Sequence, residues 1–188
     1  MTDESDLISK LISGDETAFK MLFDLYKSLV FNTALGFFPN RNDAEDITQD
    51  VFVQVFRSIP QFKSDSKLST WIYRITVSKC IDQIRKNNSK KRFSIFTNLL
   101  PGKDEDDRFV NFEHPGIEAE NKEMSEILFR EIEKLPENQR IAFVLNKTEH
   151  LSYSEIAEIM KLTVSSVESL IFRAKTNLKK KLEKYYRS

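Results

Sequence analysis

The chain is poor in the residues that build disulfide frameworks, metal sites and tight-turned sheets. It has 1 Cys, 2 His and 4 Gly in 188 residues. A lone cysteine forms no internal disulfide, so Cys80 reads as a small buried apolar residue. His114 and His150 stand near no acidic or thiol cluster, and no metal site is expected. No Gly-rich phosphate loop and no nucleophile paired with a base is visible. An enzyme, a small-molecule substrate and a cofactor are therefore not expected. No apolar run reaches the length of a membrane span. The N-terminus lacks a basic region followed by an apolar one, which points to a cytoplasmic protein.

What is present leans towards helices. There are 15 Phe against the 4 Gly, and no alternating apolar–polar strand pattern occurs. Helical periodicity runs through residues 5–13, 15–37, 43–58, 70–91, 117–134, 137–149, 152–160 and 164–186. Pro39, Pro60, Pro101, Pro115 and Pro136 all fall at the breaks, where proline is tolerated. The fold class is all-α, in two small helical domains. Residues 93–116 separate them, holding Pro101, Gly102, Pro115, Gly116 and the acidic run Asp104–Asp107 with little helical period. The expected division is 1–92, a flexible acidic linker at 93–116, and 117–188.

Net charge is zero, which at first argues against nucleic acid. Its distribution reverses that. Residues 1–60 carry 5 basic and 10 acidic groups, and residues 61–92 carry 9 and 2. Residues 93–138 carry 5 and 12, and residues 139–188 carry 10 and 5. The blocks alternate as −5, +7, −7 and +5. Two basic blocks between acidic ones suit two DNA contacts on one chain.

Leu151–Leu182 reads as a helix-turn-helix. Ser152 with Glu155 and Ser165 with Glu168 each have capping-box spacing, and so does Asn42 with Glu45. Ala157 supplies a small side chain where the crossing helices approach. At about 3.6 residues per turn, Val164, Val167, Leu170, Ile171, Ala174, Leu178 and Leu182 form one apolar stripe. The opposite face carries Ser165, Ser169, Phe172, Arg173, Thr176 and Lys180, beside Ser166. Hydroxyls, cations and one aromatic suit a major groove, where Arg pairs with guanine, Ser and Thr with either base, and Phe with a thymine methyl. A single exposed aromatic is also common on ordinary surfaces. The helix-turn-helix setting favours DNA.

Two further faces lie in the first half. From Asn42, Ala44, Ile47, Val51, Val55 and Ile59 take one side of a helix, while Asp43, Asp46, Gln49 and Asp50 share another. That stripe is either a solvated face or a dock for a basic partner. From Thr70, Tyr73, Val77, Cys80, Ile81 and Ile84 form a core face. Trp71, Arg74, Ser78, Asp82 and Arg85 step by 3, 4, 4 and 3 along the opposite one. A polar loop, Phe62-Lys63-Ser64-Asp65-Ser66-Lys67, precedes this helix, and Lys90-Lys91-Arg92 follows. Aromatics interleaved with cations suit single-stranded or distorted DNA. Alternatively Trp71 and Ile75 are core and the cations merely solubilise.

The strings Asp43–Phe52 (DAEDITQDVF), Trp71–Ile75 (WIYRI), Leu135-Pro136-Glu137 and Leu151–Ala157 (LSYSEIA), in that order, resemble the extracytoplasmic-function group of bacterial sigma factors. The resemblance implies a promoter-recognition subunit with core RNA polymerase and promoter DNA as partners. Asp43, Asp46, Gln49 and Asp50 would dock on the polymerase clamp. Phe62, Lys63, Ser64, Lys67, Trp71, Arg74, Ser78 and Arg85 would meet the upstream-ten element and capture an unstacked base. Ser165, Ser166, Ser169, Phe172, Arg173, Thr176 and Lys180 would read the upstream-thirty-five element. The linker would thread the polymerase near the template strand and RNA exit path. A membrane-linked anti-sigma factor is implied as a further partner. The chain departs from the family habit at Ser78 (often Asn), Lys161 (often Gly), and Glu168 and Leu170 (commonly basic). A different class, a stand-alone helix-turn-helix regulator with an N-terminal sensor domain, needs neither the acidic stripe nor the Trp71 face.

Overall fold

A computed structural model describes residues 4–97 and 122–186. The order is α1 (Glu4–Ile12), α2 (Glu16–Phe37), α3 (Arg41–Ser58), a short 3-10 turn (Ile59–Gln61), α4 (Leu68–Thr97), α5 (Lys122–Glu133), α6 (Glu137–Lys147), α7 (Tyr153–Met160) and α8 (Val164–Tyr186). No strand occurs among the described residues, and the fold is all-α. The helix expected to end before the linker runs on to Thr97. The rest of that linker, with its acidic run at 104–107, lies outside the described residues, as do Pro101, Pro115 and positions 117–121.

Burial follows the helical period. Leu22 and Val30 of α2, Val51 and Val55 of α3, and Leu68 and Ile72 of α4 are fully buried and hold the first domain together. Ala44, Ile47 and Ile59 join them, as the α3 wheel requires. Helix α1 is pinned by its own apolar face (Leu7, Ile8, Leu11) and by the Glu4 carboxylate, which accepts from the Leu68 amide at 3.0 Å. In the second domain α8 lies against α5, α6 and α7. Val167, Ile171, Ala174 and Leu178 are buried there, and Leu170 and Leu182 are half-buried. Val164, placed on the same stripe by spacing, is exposed, because it opens the helix before the partner helices cover it.

The two domains touch. Helices α2 and α4 of the first meet α6 and α7 of the second. Gly36 marks the closest approach: a Cβ there would stand 2.5 Å from Val144 Cγ1 and 2.8 Å from Thr148 Oγ1. Only a residue without a side chain fits that crossing.

One capping box is where spacing puts it. Ser152 Oγ accepts from the Glu155 amide, and the Glu155 carboxylate accepts from the Ser152 amide at 2.9 Å. The other two shift by two residues. Helix α3 is capped by Asn40, whose side chain accepts from the Asn42 amide at 2.7 Å. Glu45 pairs with Arg41 instead, at 2.7 Å. Helix α8 starts at Val164, and Thr163 accepts from the Ser166 amide at 3.2 Å. Ser165 and Glu168 are therefore already inside the helix. Each corrected cap is itself an Asn or Thr, so the next capping residue upstream won. Thr163→Ala should accordingly cost about 1 kcal/mol of stability, and Ser165→Ala close to nothing. Urea unfolding followed by circular dichroism measures both, and equal losses would return the cap to Ser165.

Candidate nucleic-acid interfaces

The α8 face opposite the apolar stripe points outward. Phe172 is 69% exposed, the most exposed of the large hydrophobics among the described residues. Ser165, Ser166, Arg173, Thr176 and Lys180 are exposed beside it, and Ser169 is half-buried. Local bonds sort the hydroxyls. Thr176 Oγ1 donates to the Phe172 carbonyl at 2.9 Å, which leaves it an acceptor towards anything outside. Ser166 Oγ sits 2.8 Å from Thr163 Oγ1, so it belongs partly to the cap. Ser165 and Ser169 keep their hydroxyls for a partner. Glu168 is exposed on the rim, whereas Leu170 packs against the core, so only the first departure changes the charge of this face.

The turn before α8 is built without glycine. Lys161 takes the left-handed conformation (φ 55°, ψ 44°), and its amide donates to the Ala157 and Glu158 carbonyls. A non-glycine residue there costs about 1–2 kcal/mol, which the closed turn and its buried neighbours Ile156, Ala157 and Ile159 offset.

In the first domain, the loop 62–67 and the outer side of α4 enclose a cavity of 530 Å³. Its walls include Gln54, Gln61, Phe62, Lys63, Asp65, Trp71, Arg74, Ser78, Lys79 and Asp82. Phe62, a candidate DNA contact, is one of the residues lining this cavity. It is buried, with its ring centroid 5.0 Å from that of Trp71 and tilted 45° to it. Its ring backs the indole at the cavity wall. Trp71 is half-buried: one side packs on the core, the other lines the cavity. Ser64 (φ 54°) and Lys67 are exposed in the loop but do not line the cavity.

The two arginines are engaged elsewhere. Arg74 donates to the Glu158 carbonyl at 3.0 Å and to Ser66 Oγ at 3.4 Å. Arg85 forks onto the Glu137 carboxylate at 2.7 and 3.1 Å. These acceptors belong to the second domain or the loop, so spacing along α4 could not reveal them. Gln54, Lys79 and Lys161 also line the cavity, and the sequence reading missed them. Stepping by four from Trp71 through Ile75 would have reached Lys79. Lys161 comes from the other domain, and no local pattern signals it.

On α3, Asp46, Gln49 and Asp50 are exposed, while Asp43 is half-buried. The stripe does not end with the acids. Val53 (48% exposed) and Phe56 (56%) continue the same side of the helix. Phe56 meets Phe19 edge-on at 5.1 Å, and Phe23 leans on Phe52 at 4.7 Å. An apolar shelf thus adjoins the acidic stripe. The apolar residues recurring at 53 and 56 on the acidic side were the readable signal for it.

Cys80 is fully buried and burial pushes its thiol pKa well up, as a core role requires. Among the described residues no group of three or more His, Cys, Asp or Glu is placed to hold a metal. No described helix is long and apolar enough to cross a membrane.

A helix-turn-helix beside a second helical domain with an aromatic, cation-lined cavity is compatible with a nucleic-acid-binding protein. Comparison with known proteins narrows this. Residues 22–90 match the family described as Sigma-70 region 2, and residues 125–178 match Sigma-70, region 4. The chain is 32% identical to the ECF RNA polymerase sigma-E factor of Escherichia coli K12, over 97% of this chain and 95% of that one. Its fold is similar to that of CnrH in complex with the cytosolic domain of CnrY, with TM-score 0.65, 22% identity and coverage of 94% and 95%. It is also similar to the sigma factor RpoE of Bartonella quintana in complex with the anti-sigma factor NepR, with TM-score 0.63, 20% identity and coverage of 88% and 96%. The chain belongs to the extracytoplasmic-function group of sigma factors, a family of transcription initiation factors without catalysis of their own.

The cavity wall yields a prediction. Phe62→Ala should destabilise the first domain by about 3 kcal/mol, the usual range for emptying a buried phenylalanine site. Lys63→Ala, next to it and exposed, should stay within about 0.5 kcal/mol. Thermal unfolding of both variants decides it, and an equally small loss at Phe62 would place that ring on the surface.

Proposed function

We propose that this sigma factor docks on core RNA polymerase through α3, captures an unstacked promoter base in the α4 cavity, and reads the upstream-thirty-five element with α8. The division into residues 1–92, a linker at 93–116 and residues 117–188 belongs to this proposal. The observation that carries it is Phe172, an apolar ring standing in water at the centre of a face of hydroxyls and cations. A buried stripe on the other side of the same helix fixes that orientation. A thymine methyl is a fitting partner for the ring, with Arg173 and Ser169 for neighbouring base edges and Lys180 for phosphate.

At the α4 site, Trp71 supplies a stacking wall, Ser78 a hydroxyl, and Lys63 with Lys67 the charge that draws the strand in. Ser64 belongs to the loop that shapes the entrance. Arg74 lines the cavity while bonded to the Glu158 carbonyl, and Arg85 joins them only when its present acceptor, Glu137, withdraws. At α3, Asp46, Gln49 and Asp50, with Asp43 at the edge, offer charge to a basic partner. The Val53–Phe56 shelf supplies apolar area that charge alone does not. The reading as a stand-alone regulator loses its sensor, because region 2 occupies that part of the chain.

We place the protein in the cytoplasm, under a membrane-linked anti-sigma factor, on the family likeness. The similar RpoE structure from Bartonella quintana is itself a complex with an anti-sigma factor, NepR. Cross-linking in cells should trap a stoichiometric membrane-associated partner, and full constitutive activity without one would end this part of the proposal.

Reversal of Asp46 and Asp50 to Lys should abolish co-purification with core polymerase while circular dichroism stays unchanged, since both side chains are exposed. Normal yield of the complex would remove α3 from the docking surface. Phe172→Ala should reduce discrimination at one base pair of the upstream element by about 1–3 kcal/mol. Lys180→Ala should weaken all promoters about equally. Transcription from promoters varied one base at a time separates the two. An unchanged promoter ranking for Phe172→Ala would take the ring out of the major groove.

A further inference from the structure

The contacts between the two domains run from α2 to the α4 cavity. Arg74 reaches the Glu158 carbonyl, and Lys161, at the turn of the helix-turn-helix, stands at the cavity wall with Trp71 and Ser78. Arg140 of α6 donates to the Phe37 carbonyl and lies over the Phe37 ring. Tyr73 of α4 donates its hydroxyl to Glu149 Oε2 at 3.1 Å.

We propose that the free chain closes on itself, seating the turn at Lys161 over the α4 cavity, and that Glu149, held between Tyr73 and Thr33, is a pH-sensitive latch on this closure. The autoinhibitory meaning rests on the cavity's proposed role in base capture; the latch itself does not.

The hydrogen-bond inventory at Glu149 fits a carboxylic acid rather than a carboxylate. Oε2 has the Tyr73 hydroxyl. Oε1 is buried with no donor of its own. The neighbouring group is the Thr33 hydroxyl, whose proton is already given to the Leu29 carbonyl at 2.8 Å. That leaves Thr33 little to donate to Oε1, so the buried carboxylate is poorly solvated at that oxygen. Burial pushes the Glu149 pKa up to about 7, and its contacts with Tyr73 and Thr33 only partly oppose this. No cation is among the groups acting on it. Tyr73 on α4 stays neutral, its pKa raised by burial and by Glu149. Glu155 on α7 faces Tyr73 and is taken up with Ser152. Arg140 on α6 is turned to Phe37. His150, next in the chain, is exposed.

Opening returns Glu149 to the ordinary carboxylate value of 4.5. Closing therefore takes up a proton. Its contribution is fully present below that value and is lost as pH rises through about 7.

The test needs neither DNA nor polymerase, so its failure is distinct from failure of the promoter reading. Spin labels are attached at Ser28→Cys on α2 and Glu183→Cys on α8, both exposed, in the full chain. Buried Cys80 does not compete for label. Pulsed distance measurement should find a single short population at pH 5.5. By pH 7.5 the closing constant should have fallen by about tenfold or more. Glu149→Gln, a neutral isostere, should stay closed at both pH values. Gly36→Ala, whose methyl meets Val144 and Thr148, should be open at both. A distribution that ignores pH in the parent chain, or a Glu149→Gln variant that follows pH like the parent, would overturn the latch. A Gly36→Ala variant that stays closed would overturn the closure.

Discussion

Helix α4 divides its surface among its own domain, a cavity and the other domain. Ile72 and Thr76 are fully buried. Trp71, Ser78 and Asp82 line the cavity. Tyr73, Arg74 and Arg85 reach the second domain, and Cys80 is buried where Arg140 of α6 acts on it. A helix with work on every side has no simple apolar stripe. It also cannot change one neighbour without affecting another. Because Trp71, Arg74 and Tyr73 lie within one turn, whatever binds the cavity must contend with whatever holds the second domain in place.

Magnitudes decide what holds the closed form. The Arg85–Glu137 pair is well exposed on both sides, and such pairs contribute about 0–1 kcal/mol. The fit of Gly36 under Val144, with Phe37 fully buried beside it, removes apolar surface from water and matters more. The Arg140 bond to the Phe37 carbonyl is buried and charge-assisted, so it contributes more than an exposed pair. Closure is thus a packing contact with polar locks. On the proposed function, a large partner that binds α3 and offers the Arg74 and Arg85 side chains a nucleic acid would reverse it. Zero net charge on the whole chain fits this behaviour, because the basic block at 61–92 is partly answered by acids of the second domain.

Helix existence and most buried faces were legible in the sequence, because they depend on period alone. The Val167, Ile171, Ala174 and Leu178 stripe and the outward Phe172 follow directly from spacing. What failed were features decided by competition or by distant chain. Asn40 and Thr163 outcompeted Asn42 and Ser165 as caps, and one more upstream capping residue was enough to move each boundary. Phe62 sits in a polar loop, yet its ring is buried against Trp71, which the loop's composition does not signal. The partners of Tyr73, Arg74 and Arg85 are Glu149, Glu158 and Glu137, which lie 76, 84 and 52 positions away along the chain. No periodicity carries that information. The faces proposed as sites were legible from spacing, and the contacts they make within the chain were not.

The central claim is that two separate DNA faces act together on polymerase. Run-off transcription with core polymerase tests it most directly, using a promoter library in which both elements and the spacer between them vary. Transcripts should depend on this protein and on both elements, and should fall sharply when the spacer changes by a few base pairs in either direction. Protein-dependent transcription indifferent to spacer length, or no transcription from any member of the library, would contradict it.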